Sequence, residues 1–303
     1  MDARLLEYFL AIVDHGSYGR AAQALHIAQP SLSQAISGLE RELGVQLFQR
    51  IGRGVVLSDA GQELIGPARQ VLRDLRTARD TMASVKGLRR GRVELVSMPS
   101  PGIEPLSTLM LKYVERFPGV AVDAEAAFTP DEVERKVRHG VCELGLVGTP
   151  EPARPVGLDV FELEEQHFVL VGAAGLGFPA QDPVPLHALN GAKLIVSPSG
   201  SLMRRIVDDA LADGVDLRIV AEVAHRTSIL PLVMRGAGLA VLPAAWAPLA
   251  RRTGARAVRI DHPARLHVAL LSRSATPLSP AAAAFLALAR AYRPADYGTD
   301  KVS

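Results

Sequence analysis

The chain has 303 residues, of which 48% are hydrophobic and 22% charged, with a formal net charge of +2. This composition excludes wholesale disorder and a collagen-like repeat, and no apolar run is long enough to predict a transmembrane helix. A single cysteine, Cys142, excludes an internal disulfide and a cysteine-based zinc site. The first residues lack the basic region and cleavage site of a signal peptide, so we expect a cytoplasmic protein, and the length suggests two domains.

Charge is distributed unevenly along the chain. Residues 1–92 contain 13 Lys and Arg against 9 Asp and Glu, whereas residues 93–303 contain 21 and 23. A mildly basic N-terminal part is compatible with nucleic-acid binding, although an excess this small is also compatible with chance.

The first part of the chain has the pattern of a helix-turn-helix. Apolar residues recur at helical spacing from Leu5 to Val13, and Ser17 can cap a second, short helix. A third helix begins at Pro30 and ends at Gly44. Its apolar stripe turns small polar side chains outward, namely Ser31, Ser33, Gln34 and Ser37. Such side chains suit a DNA groove, because Gln can bond adenine with two hydrogen bonds and Ser can bond a phosphate or a base edge.

A small hairpin follows within residues 45–58, where two apolar runs flank Gly52, Arg53 and Gly54. Its tip presents one cation, as a wing that enters the minor groove would, and Arg50 is placed to reach a phosphate. For any single residue, a merely solvated polar surface is the better interpretation. The order of the elements taken together favours DNA binding.

A long helix, capped by Ser58 or Asp59, carries apolar residues in alternating steps of four and three. The residues of this seam are Leu64, Ala68, Val71, Leu75, Ala78, Met82 and Val85. A seam of three heptads predicts packing against the same helix of a second subunit. Residues 86–91 have the composition of a linker.

From residue 92 onward, short runs of Val, Leu and Ile alternate with amphipathic helices. This alternation predicts α/β units on mostly parallel sheets. The predicted strands cover residues 93–97, 120–125, 144–148, 167–172, 193–197, 217–223, 239–243, 257–260 and 266–272.

The run AAQALHIAQPSLSQAI, followed by LERELGVQLFQR, closely matches a family signature within residues 8–64. Weaker matches are ERFPGV at 115–120, CELGLV at 142–147 and RGAGLAVLP at 235–243. The whole chain therefore resembles the LysR-type transcriptional regulators. The resemblance implies an α/β protein with an N-terminal all-α winged helix-turn-helix domain. It also implies an effector domain of two Rossmann-like subdomains that resemble periplasmic binding proteins.

On this resemblance, the domains are the DNA-binding domain 1–58, the linker helix and hinge 59–91, and the effector domain 92–303. Subdomain I would cover about 92–162 and 267–303, and subdomain II about 163–266, with crossings near 160–166 and 262–268. The implied partners are operator DNA, a small-molecule effector, and further copies of the chain in a homodimer or homotetramer, with no membrane partner and no cofactor. Closure of the effector cleft would change the spacing of the winged heads.

The resemblance places Gln29, Pro30, Ser31, Ser33 and Gln34 against the DNA, with Arg53 on the wing. Many members carry Arg or Lys where this chain has Gln34, and a basic residue near Ser37 or Gly38. The base preference of a relative therefore cannot be transferred to this chain.

Polar side chains follow several predicted strands of the effector domain, where ligands of open α/β sheets bind. The candidate effector residues are Ser97, Ser100, Thr129, Thr149, Ser199, Ser201, Arg226 and Thr227. Each hydroxyl is equally well explained as a helix cap, and Arg226 as a surface charge. With few aromatic residues nearby, the site predicts a small organic acid or similar polar metabolite as the effector.

An enzyme is disfavoured, because the chain has no G-x-S-x-G, P-loop or H-E-x-x-H motif. A plain solute-binding protein would require export, for which no signal is seen. Cys142 leads an apolar strand and is interpreted as a core residue, with redox sensing as the open alternative.

Overall fold

The computed structural model describes residues 2–51, 54–84, 91–175, 177–274, 276–294 and 297. Within these ranges the side chains of residues 50, 51 and 80–84 are not described. The predicted sites Arg53 and Val85, and the side chains of Arg50 and Met82, therefore lie outside the described part of the chain.

The N-terminal head consists of three helices and a two-stranded antiparallel hairpin. These elements are α1 (Ala3–His15), α2 (Tyr18–Ala24), α3 (Gln29–Leu43), β1 (Phe48–Ile51) and β2 (Gly54–Leu57). Ser17 caps α2, since its Oγ accepts from the backbone N–H of Arg20 at 3.2 Å. Gly44 ends α3 with φ of 72°, a left-handed conformation that favours glycine. The helix begins one residue before the predicted Pro30, which stands in its first turn.

The long helix α4 (Asp59–Ser84) leaves the head from the base of the hairpin. Ser58 caps it, because the Ser58 Oγ accepts from Gly61 N at 3.0 Å. The same hydroxyl donates to the carbonyl of Gln46 at 2.6 Å, which fixes the start of the helix to the segment before β1. Ala68 is buried in the core of the head and Leu64 packs against that core.

The effector domain has two α/β lobes, each built on its own sheet. Lobe I has strand order β4-β3-β5-β13-β6, and lobe II has β10-β9-β11-β7-β12-β8. The strands of lobe I are β3 (Gly91–Ser97), β4 (Val120–Ala126), β5 (Leu144–Thr149), β6 (Leu158–Gln166) and β13 (Leu266–Arg273). Those of lobe II are β7 (Phe168–Ala173), β8 (Val184–Pro185), β9 (Lys193–Val196), β10 (Arg218–Glu222), β11 (Leu239–Pro243) and β12 (Ala255–Asp261).

Helices cover both sheets, as the alternating pattern predicts. Lobe I carries α5 (Pro99–Ile103), α6 (Leu106–Arg116), α7 (Pro130–Arg138) and α11 (Pro280–Arg290). Lobe II carries α8 (Leu202–Ala212), α9 (Ile229–Met234) and α10 (Ala247–Arg252), together with 3-10 turns at Leu186–Leu189, Arg226–Ser228 and Ala244–Trp246.

Every predicted strand is present, but both sheets are mixed. β7 and β13 run antiparallel to their neighbours, since each brings the chain into a lobe from the other one. The strands β6 and the short β8 are not predicted by the apolar pattern. β6 contains Glu162, Glu164 and Glu165, which interrupt the apolar run that marks the other strands.

The chain crosses between the lobes at two neighbouring places. It leaves lobe I after Gln166 and enters β7 at Phe168, just beyond the predicted crossing at 160–166. It returns between Asp261 and Leu266, within the predicted second crossing. Gln166 pairs with Leu266 in the sheet of lobe I, so the two crossings lie side by side and form one hinge.

Gly61 lies in the first turn of α4, close to the backbone of the segment before β1. Its substitution tests how this helix is fixed to the head. A Cβ added at Gly61 would lie 2.2 Å from the carbonyl oxygen of Leu47, a backbone atom that cannot move alone. We expect Gly61→Ala to lower the free energy of unfolding of the head by about 1–3 kcal/mol in urea titrations.

The matched control is Gly38→Ala in α3, where an added Cβ has nothing within 4 Å. This change should stabilise the head by up to about 1 kcal/mol, because Ala favours the helix over Gly. Equal effects of the two substitutions would contradict the described contact between α4 and Leu47.

Candidate DNA-binding face and effector cleft

The third helix has one buried and one exposed face. Leu32, Ile36 and Leu39 are fully buried against α1 and α2. The predicted DNA-contacting residues of the helix lie on the other side: Gln29, Pro30, Ser31, Gln34 and Ser37 are exposed, and Ser33 is half-buried. The structure therefore brings these polar side chains together on one open helix face.

The hairpin is held against α3 by a carboxylate that the sequence analysis did not single out. The Glu40 Oε1 accepts from Leu47 N at 2.8 Å and from Phe48 N at 3.2 Å. The Phe48 ring lies 5.5 Å from that of Phe9 and 5.8 Å from that of Tyr18. These contacts fix the base of the wing, whereas its tip with Arg53 is outside the described residues.

The middle of α4 has two faces of different character. Val71 and Leu75 of the predicted seam are 40% and 41% exposed, and Ala78 is exposed as well. The opposite face contacts lobe I, where Arg76 pairs with Glu94 at 2.6 Å. The described part of the seam is thus used in two ways: Leu64 and Ala68 complete the head of their own chain, whereas Val71, Leu75 and Ala78 face outward.

Arg73 lies at the centre of the contact between α4 and lobe I and is 8% exposed. Its Nη2 donates to the Gln70 Oε1 at 2.9 Å, and Arg273 from β13 donates to the same oxygen. Burial, and to a smaller extent the neighbouring charge of Arg273, lowers the pKa of Arg73 to about 10. The guanidinium fits closely over Gly140, where an added Cβ would meet it.

A cleft with a volume of about 590 Å³ lies between the two lobes. This volume is within the range typical of small-molecule sites. The residues that line it are Met98, Ser100, Phe128, Thr129, Pro130, Gly148, Pro150, Phe168, Pro198, Ser199, Gly200, Ser201, Leu202, Met203, Ala224, His225, Arg226, Pro243 and Leu266.

The cleft brings together part of the predicted effector set: Ser100, Thr129, Ser199, Ser201 and Arg226 line it. Ser97, Thr149 and Thr227 are not among its lining residues. The Ser97 hydroxyl donates to the Met98 carbonyl at 2.9 Å, and that of Thr149 donates to the Glu151 carbonyl at 2.6 Å. Thr227 lines a separate apolar hollow beside Trp246.

Two of the lining hydroxyls also cap helices. The Thr129 Oγ1 accepts from Glu132 N at 3.2 Å, and the Ser201 Oγ accepts from Arg204 N at 3.2 Å. A hydroxyl that accepts a capping bond still has its own hydrogen to donate. Capping and ligand binding are therefore compatible at both residues.

Arg226 connects the lobes across the cleft. Its Nη1 donates to the Ser100 Oγ at 3.3 Å, and Ser100 is 1% exposed. Burial lowers the pKa of Arg226, because the charged form loses solvation. None of the residues lining the cleft is acidic, so the guanidinium has no carboxylate there to pair with.

The cleft has an apolar part beside its hydroxyls. The rings of Phe128, at 56% exposure, and of Phe168, which is buried, both line it, together with Met98 and Leu266. Phe168 is an addition to the predicted residues and reaches the cleft from the first strand of lobe II. The hinge geometry that places it there is not visible in local sequence.

The described residues contain no helix long and apolar enough to cross a membrane. They also contain no group of three or more His, Cys, Asp or Glu side chains arranged to hold a metal ion.

The two parts of the chain match two known families. Residues 3–62 match the bacterial regulatory helix-turn-helix proteins of the lysR family, and residues 86–294 match the LysR substrate binding domain. The chain belongs to the LysR family of transcriptional regulators. It is a DNA-binding regulator whose C-terminal domain binds small-molecule effectors.

Relatives match along almost the whole chain. The transcriptional regulator IlvR of Caulobacter vibrioides is 31% identical over 90% of this chain and 92% of its own length. TfdS of Cupriavidus pinatubonensis is 30% identical over 96% of this chain and 98% of its own length.

Solved structures share the fold of this LysR regulator. The crystal structure of CbnR, a LysR family transcriptional regulator, has a TM-score of 0.69 at 23% identity and covers 96% of this chain and 99% of its own. A full-length OxyR variant from Pseudomonas aeruginosa has a TM-score of 0.72 at 21% identity, with coverage of 98% and 96%.

The single cysteine offers a test of the redox alternative. Cys142 is 1% exposed, and burial raises the pKa of its thiol to about 12. Because the thiolate is the reactive form, native protein at about pH 8 should react with iodoacetamide far more slowly than protein unfolded in urea. Equal rates, measured by mass spectrometry, would show that the thiol is reactive in the folded regulator.

Proposed function

We propose that the exposed face of α3 and the wing bind the operator, and that the cleft between the lobes binds the effector. The observation that carries this proposal is the cleft itself. It brings hydroxyls of both lobes together with the guanidinium of Arg226, which has no acidic partner among the lining residues. The two crossings of the chain between the lobes lie side by side and form the hinge. A ligand in the cleft changes DNA binding through its different affinity for two lobe arrangements. We take the effector to be a small organic acid or polar metabolite.

On this proposal, Gln29, Ser33, Gln34 and Ser37 contact DNA, with Pro30 and Ser31 at the start of the helix. The support is their common exposure on the face opposite Leu32 and Ile36. Arg50 and Arg53 supply the contacts of the wing to the DNA backbone and the minor groove.

We also propose that two copies pair through the α4 seam. An apolar strip of Val71, Leu75 and Ala78 on a helix whose other face contacts lobe I supports this assignment. Further exposed apolar side chains, Leu111 and Val114 on α6, support a second contact that would join dimers into a tetramer.

The cleft is proposed as a binding site that carries out no reaction, in a cytoplasmic regulator that needs no cofactor. The support is the chemistry of its lining, which combines hydroxyls, one guanidinium and apolar surface without an acid. Turnover of a bound metabolite by the purified protein would contradict this part of the proposal.

The DNA assignment predicts that Gln34→Ala relaxes base specificity. One lost bidentate base contact costs about 1–3 kcal/mol of discrimination. The measurement is selection of bound sites from a random duplex library, followed by titration of the wild-type site and its single-base variants.

The control is Gln62→Ala, at an exposed glutamine on α4. It should select the wild-type sequence with wild-type affinity. If Gln34→Ala also selects an unchanged sequence, this position does not contact a base.

The assembly assignment predicts that Leu75→Asp prevents dimerisation, because the substitution places a charge in the middle of an apolar seam. Sedimentation at micromolar protein should change from an oligomer to a monomer, and the selected site should lose most of its affinity. Gln62→Asp introduces the same carboxylate on the same helix outside the seam and should remain oligomeric. A wild-type protein that sediments as a monomer would contradict the assignment.

A further inference from the structure

We propose that the effector is a monocarboxylate with an apolar body, and that Arg226 binds its carboxylate. This inference rests on the proposed function of the cleft and specifies the ligand more narrowly. The inference selects an acid as the ligand, whereas hydroxyls alone would also bind neutral polar metabolites.

The charges that line the cleft favour an anionic ligand. Arg226 is the one arginine or lysine among the residues that line the cleft, and no acidic residue lines it. A guanidinium has five N–H donors, yet its hydrogen bond within the described chain is to the neutral hydroxyl of Ser100. A partly desolvated cation without a counter-ion favours an anionic ligand, and the planar guanidinium matches a carboxylate with two parallel hydrogen bonds.

The rest of the lining favours a ligand with an apolar body. Phe128, Phe168, Met98 and Leu266 present apolar surface in the same cleft. A second carboxylate on the ligand would find no second arginine or lysine among the lining residues, and it would be desolvated against these side chains. A ligand with one charged end and an apolar body satisfies both parts of the surface.

The hydrogen bond between Arg226 and Ser100 joins the two lobes. Arg226 stands on the 3-10 turn before α9 in lobe II, whereas Ser100 stands on α5 in lobe I. A carboxylate bound to Arg226 therefore takes its place at the contact between the lobes. The Thr129 hydroxyl of lobe I and the Ser201 hydroxyl of lobe II line the same space and can donate to its oxygens. Binding of the acid thus depends on the arrangement of the two lobes.

The experiment compares acids with neutral amides of the same shape. Benzoate, phenylacetate and hexanoate are titrated into the full-length protein by calorimetry, each beside its primary amide. We expect at least one acid to bind about tenfold or more tightly than its amide, because a hydrogen bond to a charged group is stronger than one to a neutral group.

Variants connect the preference to Arg226. Arg226→Gln should abolish the advantage of the acid over the amide, whereas Arg226→Lys should retain part of it through the remaining charge. Arg235→Gln removes an exposed arginine at the end of α9, outside the lining of the cleft, and should bind the acid like wild type. Thermal unfolding without ligand checks that each variant is folded.

Three results would overturn the inference: no acid of the panel binds, amides bind as tightly as acids, or Arg226→Gln retains the preference. The affinity for the selected DNA site is also measured with and without ligand. This measurement distinguishes a failure of the acid assignment from a failure of the proposed function. If amides bind and shift DNA affinity, the function stands and the acid assignment fails. If acids bind through Arg226 without any effect on DNA affinity, the acid assignment stands and the effector role fails.

Discussion

The pairing of Gln166 with Leu266 places both connections between the lobes at one edge of the cleft. With the connections side by side, the lobes can turn about one hinge, and their arrangement depends on what lies between them. The bond from Arg226 to Ser100 crosses this space. A carboxylate that binds the guanidinium acts directly on this contact between the lobes.

Movement of the lobes has a defined route to the DNA. One face of α4 is fixed to lobe I through Arg73 and the pair of Arg76 with Glu94, so the head is coupled to that lobe. The outward face, with Val71 and Leu75, is the proposed contact with a second head. Effector domains that also contact one another would then convert a rotation of one lobe into a change in the spacing of paired heads. The coupling in such systems is typically about 1–3 kcal/mol.

Local sequence predicted the elements well and the long-range contacts poorly. The apolar stripe of α3 and the left-handed Gly44 are local features, and both were found as expected. β6 was missed because its buried Glu164 is stabilised by hydroxyls of Tyr292 and Tyr297, more than a hundred residues away in the chain. Hydroxyls such as that of Thr149 were assigned to the cleft by their position after a strand, but a neighbouring carbonyl takes the hydrogen. That Arg226 meets Ser100 also depends on the hinge, which no local pattern encodes.

On the proposed function, a carboxylate in the cleft changes the arrangement of the lobes. Glu151 in lobe I and Asp213 in lobe II are exposed, so Glu151→Cys and Asp213→Cys can both carry spin labels while the buried Cys142 stays unlabelled. Labelled chains are mixed with an excess of unlabelled ones, and the distance between the two labels of one chain is measured by pulsed electron paramagnetic resonance. We expect a saturating acid to shift this distance in the wild-type background and to leave it unchanged with Arg226→Gln. An unchanged distance in wild type, with the acid shown by calorimetry to be bound, would contradict a change in the arrangement of the lobes.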